Sequence, residues 1–146
     1  MLIRDHMTTH VITVSMDATL GDVQRVFEAA SFHHLIVTEH GKVVGVMSDR
    51  DLLKHISPFV GKMAERRQDL ASLERKVHQV MSRGVHTIGP DESVAEAGHR
   101  MLRDGISCLP VVDEKEHPIG IITIRDVAKI AIEMLGDFLR DVDEAA

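Results

Sequence analysis

The chain has 146 residues, 44% of them hydrophobic, with no Trp or Tyr, four Phe and a formal net charge of −6. That length fits one compact domain or two intimately packed repeats, with an aliphatic core of Val, Ile, Leu and Met. The acidic balance argues against sequence-independent nucleic-acid binding, which needs a basic face to release counterions. One cysteine, Cys108, excludes an intramolecular disulfide and fits a reducing compartment.

The first residues, Met1 to Met7, lack the apolar h-region of a secretory signal. No apolar run reaches membrane-spanning length, so the expectation is a soluble, cytoplasmic protein with no membrane partner. A β-branched strand is predicted at Val11-Ile12-Thr13-Val14, then a turn with Asp17 and a helix capped by Thr19. The helix keeps an apolar face through Leu20, Val23, Phe27 and Ala30. Leu35-Ile36-Val37 and Val43 to Met47 read as a strand pair around a polar turn, leading into a second helix.

Ser57 to Lys76 reads as a helical linker opened by Ser57-Pro58, with Glu65 to Asp69 as a solvated charged face. The first pattern then returns. Strands are predicted at Val85 to Ile88, Leu109 to Val112 and Ile119 to Ile122, with a helix capped by Ser93 between the first two. The final apolar helix runs through Val127, Ile130, Met134, Leu135, Phe138 and Leu139. It outlasts its counterpart, so its far end is expected against the other repeat or another subunit. Asp141 to Ala146 reads as a frayed acidic tail.

Met7 pairs with Met81, Thr13 with Thr87, Asp17 with Asp91 and Leu35 with Leu109, an offset of 74 residues. After a one-residue insertion in the second hairpin, Gly45-Val46-Met47-Ser48-Asp49-Arg50-Asp51 repeats as Gly120-Ile121-Ile122-Thr123-Ile124-Arg125-Asp126. Each copy is β-α-β-β-α, too small to bury much core alone. The fold class read from this is α/β (α+β), two repeats packed through their sheets with pseudo-two-fold symmetry.

The duplicated junction carries the chemistry. A nucleoside monophosphate needs a carboxylate for its ribose diol, donors for its phosphate and an apolar slot for its base. Asp51 and Asp126 fit the diol; Ser48, Thr123, Arg50 and Arg125 fit the phosphate. The slot is assigned to Thr13, Val14, Ile36, Thr87, Ile88 and Pro110. Ser-x-x-Asp and Thr-x-x-Asp are also helix capping boxes, which need no ligand. The ten histidines lack metal-ligand spacing, so no metal site is assigned. No nucleophile–base pair stands out, so no catalytic residue and no enzymatic activity are assigned.

Two β-α-β-β-α repeats with Gly-apolar-x-Ser/Thr-x-x-Asp junctions resemble a tandem pair of CBS domains, the Bateman module. The copies span 3–56 and 77–132, with 57–76 between them and 133–146 as a C-terminal extension. Leu109-Pro110-Val111-Val112-Asp113 follows the family pattern, whereas Ile36-Val37-Thr38-Glu39 lacks its proline and aspartate. The resemblance implies a regulatory module that needs no cofactor and binds AMP, ADP, ATP or S-adenosylmethionine in clefts between the repeats. It also implies a homodimer and output to a protein partner in trans. In the resembled family a position two before the middle-strand Leu faces the phosphates; here it is His33 or Ser107. A histidine offers a polyphosphate more than a serine does, so unequal sites are expected. The alternative is a structural dimerisation scaffold with degenerate sites.

Overall fold

The computed structural model describes all residues, 1–146. In chain order the regular elements are β1 (Thr13–Ser15), α1 (Leu20–Ala29), β2 (His34–Glu39), β3 (Lys42–Ser48), α2 (Asp49–His55) and α3 (Arg67–Ala71). They continue with α4 (Val77–Val80), α5 (Val94–Asp104), β4 (Cys108–Val112), β5 (Pro118–Thr123) and α6 (Ile124–Ala145). This is the expected mixed α+β architecture, with one three-stranded sheet ordered β1-β2-β3 and one two-stranded sheet, β4-β5.

The chain packs as two compact units. One holds Val11–Val85 and Lys115–Pro118; the other holds Met1–His10, His86–Glu114 and Ile119–Ala146. The core of the first is built from Leu20, Val23, Leu35, Val37, Met47, Leu52 and Val77. Ile3, Ile88, Val94, Ala97, Met101, Leu109, Val111 and Ile122 form the core of the second. Ile3 therefore packs with the second copy's elements, while Val77, its counterpart at offset 74, packs with the first copy's. The two copies have exchanged their leading segments.

Glycines make that exchange possible. A Cβ at Gly120 would lie 2.5 Å from Met7 Sδ and 3.0 Å from the Thr8 carbonyl oxygen. One at Gly45 would lie 3.0 Å from Met81 Sδ and 3.3 Å from the Ser82 carbonyl oxygen. Ordinary side chains at these two positions would hold the incoming segments off the strands.

The helix starts follow the predicted caps. Thr19 Oγ1 accepts from Asp22 N, and Ser93 Oγ accepts from Glu96 N. Leu20 and Val23 on α1, and Val94, Ala97 and Met101 on α5, are buried as their spacing requires.

Three expectations are corrected. The strand predicted at Val85 to Ile88 shrinks to one parallel bridge, Ile88 to Val111. The next residues are Gly89 and Pro90, and proline has no N–H to extend a ladder. No helix opens at Ser57-Pro58, where the backbone turns instead. The Ser57 hydroxyl donates to Asp69 Oδ1 (2.7 Å) and accepts from Phe59 N (3.2 Å), and helical structure resumes at α3. Asp69 is not on a solvated face: it is 4% exposed. Hydrogen bonds, first that of Ser57 and then those of Arg66, hold its carboxyl below the ordinary carboxylate range.

The C-terminal residues also differ from expectation. Asp141 to Ala145 complete α6 rather than fray, and beyond Ile130 every residue of the helix is exposed except the half-buried Gly136.

Candidate functional site

In the first copy β2 lies between β1 and β3, so its residues set the site's rows. Thr13 stands opposite Ile36, which stands opposite Val46; His34 stands opposite Ser48. Directly paired residues share a face, and alternate residues along a strand do too. Thr13, His34, Ile36, Val46 and Ser48 therefore share one face of the sheet. Leu35, Val37 and Met47 point the other way, into the core. Ile36 is 1% exposed although it turns away from that core.

Val14 does not join this row. It alternates to the core side and packs on the Leu35 cluster. Thr13 and Val14 nevertheless help line a groove of about 380 Å³ with Ser15, Met16, Asp17, Thr38, Glu39 and His40. His34 and Val46, and the Thr38 to His40 wall, join the residues expected from the sequence. Strand alternation from Ile36 was the signal available for His34 and Val46; the wall depends on a chain reversal in which His40 and Gly41 both take positive φ, 51° and 76°.

Ser48 ends β3 and caps α2. Its Oγ accepts from Asp51 N (3.0 Å), while Asp51 Oδ2 accepts from Ser48 N (2.9 Å). This reciprocal pair is a complete capping box. Asp51 is half-buried and Arg50 exposed. Asp49 N donates to the His33 carbonyl (3.0 Å), tying the start of α2 to the entry of β2. His33 itself is exposed, with Nδ1 2.8 Å from Asp49 Oδ2. That bond is the foremost cause holding the Asp49 carboxyl below its ordinary range.

The second copy repeats this geometry on β4, β5 and α6. Thr123 Oγ1 accepts from Asp126 N (3.2 Å), and Asp126 Oδ2 accepts from Thr123 N (2.8 Å) and Oγ1 (2.9 Å). Ile124 N donates to the carbonyl of exposed Ser107 (2.9 Å), as Asp49 does to His33. Pro110 is buried and alternates away from Leu109 and Val111; Ile88 lies on the core side, bridged to Val111. Thr87 is half-buried, its carbonyl accepting from Arg100, and Arg125 is exposed.

One fold, repeated in one chain with the same strand–helix junction, invites comparison with known families. The CBS domain family matches residues 3–58 and 77–133. This chain belongs to the CBS domain family.

A CBS domain-containing protein of Dictyostelium discoideum is 32% identical over 136 residues, covering 92% of this chain and 93% of that protein. The CBS domain pair of protein MJ0100, solved with 5′-methylthioadenosine and S-adenosyl-L-methionine, superposes with a TM-score of 0.75. It is 25% identical and the match covers 92% of this chain and 98% of that one. Some relatives carry enzyme names. The homoserine O-acetyltransferase of Methanococcoides burtonii is 34% identical over 129 residues, 88% of this chain but 24% of the enzyme. The chain spans between 23% and 44% of the length of the first curated relatives it matches. No helix is long and apolar enough to cross a membrane.

Within the CBS frame the two junctions differ in charge. The first carries Asp49 and Asp51 at the start of α2, with His33 held by Asp49. The second has Ile124 where the first has Asp49, leaving Asp126 as the carboxylate of the first turn. The histidine expected to favour phosphate in the first copy thus comes with its own carboxylate. The second junction is the less anionic of the two.

Proposed function

We propose that this CBS pair is a regulatory sensor of an adenosine-containing ligand: AMP, ADP, ATP or S-adenosylmethionine. Each copy contributes a half-site. Asp51 and Asp126 accept from the ribose hydroxyls through the carboxylate oxygen the cap does not need. Ser48 with Arg50, and Thr123 with Arg125, meet the phosphate or the ribose. Thr13 and Ile36, and Thr87 and Pro110, frame the base, with Val14 and Ile88 holding those strands from the core side. His33 and Ser107 stand beside the phosphate end. The module has no catalytic role; ligand occupancy shifts whichever conformation binds better, and a protein partner in trans reads that shift.

The observation that carries this reading is the recurrence of one strand–helix junction in both copies, down to the same capping bonds. The adenosine ligands held by the related MJ0100 pair support the ligand class. Because Asp49 adds negative charge to the first junction, phosphate-rich ligands favour the second and a cationic sulfonium such as S-adenosylmethionine the first.

Thermal unfolding against AMP, ADP, ATP and S-adenosylmethionine tests the proposal. A ligand at a hundred times its dissociation constant adds about 2.7 kcal/mol of stability. Stabilisation by one of these that Asp51→Ala or Asp126→Ala abolishes is the expected result. No shift with ligand-free protein would favour the scaffold reading, to which the complete capping boxes lend weight because they need no ligand.

A further inference from the structure

We propose that Arg100 is the positioning residue of the second half-site: it does for Thr87 what strand pairing does for Thr13. The role rests on the adenosine reading above and explains how one of its half-sites is held ready for ligand.

Thr13 and Thr87 are equivalent in sequence, but their backbones are held differently. Thr13 opens β1, and three successive rows fix that strand to β2: Thr13 on Ile36, Val14 on Val37 and Ser15 on Thr38. Thr87 lies in no strand, and its segment is tied to β4 only by the bridge from Ile88 to Val111. A residue beside a single bridge swings freely unless a side chain takes the place of the ladder. Arg100 takes that place.

Its side chain, 27% exposed, reaches from α5. Nη1 donates to the Thr87 carbonyl (3.4 Å), Nε to Glu96 Oε1 (2.7 Å) and Nη2 to Glu92 Oε1. The other oxygen of Glu92, Oε2, accepts from Gly89 N (2.7 Å). One chain of bonds therefore runs from Thr87 through Arg100 and Glu92 to Gly89, closing on Ile88 from both sides. The planar fork of an arginine supplies this geometry; the point charge of a lysine does not. All three guanidinium nitrogens are engaged, and two carboxylates face the one positive charge. Arg100 is thus a brace rather than a phosphate ligand.

The first copy has no such brace. In the shared register Arg100 corresponds to Val26, which packs on the first core, and Glu92 corresponds to Ala18. The backbone around the two turns is held alike: Val77 N donates to the Ala18 carbonyl (2.8 Å), as Ile3 N does to that of Glu92 (2.9 Å). The side-chain brace is confined to the copy whose first strand is missing. A residue fixed before ligand arrives costs no ordering on binding, so the brace raises affinity at the Asp126 junction alone.

Calorimetric titration of the full chain with AMP, ADP, ATP and S-adenosylmethionine tests the brace. In an Asp51→Ala background, where binding falls to the Asp126 junction, Arg100→Met should weaken affinity about tenfold. In an Asp126→Ala background the same change should leave affinity within about twofold. Arg100→Lys keeps the charge but loses the fork, so it should weaken the Asp126 junction as much; it carries the test alone if Arg100→Met does not fold. In the ligand-free chain both variants should speed amide exchange at Gly89. Full affinity in Arg100→Lys would show that the arginine supplies charge rather than position, and would overturn the inference. An equal loss at both junctions, or faster exchange at Gly89 with unchanged affinity, would overturn it too and leave the ligand reading standing. Absence of binding of all four compounds to the native chain would remove the ligand reading and the brace's role together.

Discussion

Asp51 and Asp126 each serve their helix through Oδ2, and any ligand duty must be separable from that one. Ser93 provides the control, since it caps α5 outside the duplicated junction. Ser93→Ala should cost about 1 kcal/mol in urea unfolding and leave adenosine-ligand affinity unchanged. Asp126→Ala should cost a similar amount and also remove binding at its junction. Loss of stability without loss of binding would reduce the aspartate to a cap. Asp69 is a different case, a buried carboxylate whose acidity is set by Ser57 and Arg66. Its folded pKa lies below the unfolded value, so its stabilisation is present at neutral pH and is lost as pH falls through the folded pKa. The stability difference between the native chain and Asp69→Asn should therefore be full at pH 7 and shrink below about pH 4. A pH-independent difference would show that packing, not charge, holds the linker.

Among the elements, the paired glycines make the sharpest contrast. Gly120 faces Met7 and the Thr8 backbone more tightly than Gly45 faces Met81 and Ser82. Gly120→Ala should destabilise by about 1–3 kcal/mol, and Gly45→Ala by less, as calorimetric unfolding would register. Their need for close approach was not legible in the sequence, where glycine before an apolar pair reads only as a strand end. Helix starts were legible, because Thr19, Ser48, Ser93 and Thr123 cap through bonds three residues long. The shortened strand at Ile88 was half legible: Pro90 was visible, but a missing ladder bond matters only once a partner strand lies alongside. Ser57 misled for the converse reason, since its hydroxyl accepts from Phe59 N but donates to a buried carboxylate twelve residues on, and the chain turns instead of opening a helix.

At the scale of the molecule, the exchange of leading segments makes a directional prediction. Ile3 is fully buried among Ile88, Val94, Leu109 and Ile122. Ile3→Ala should cost about 2–5 kcal/mol, as a large-to-small change in a closed core does. Hydrogen exchange should show the loss of protection in α5, β4 and β5 before β2 and β3, although Ile3 begins the first copy. Protection lost first in β2 and β3 would contradict the exchanged packing. The inequality of the two junctions also belongs at this scale, because it depends on His33 meeting Asp49 across the strand–helix junction.

The sequence by itself determined the duplication, the β-α-β-β-α order of the first copy, the helix caps and the family, because all of these are written in short-range spacing and in one register of 74 residues. Tertiary structure alone decided which core each leading segment fills, since Ile3 and Val77 are equivalent in pattern and differ only in the neighbours the chain brings to them. It also decided that His33 is tied to Asp49 and that His34 and Val46 share the face of Thr13 and Ile36. Periodicity says that a residue turns inward or outward; only the folded chain says what it meets there.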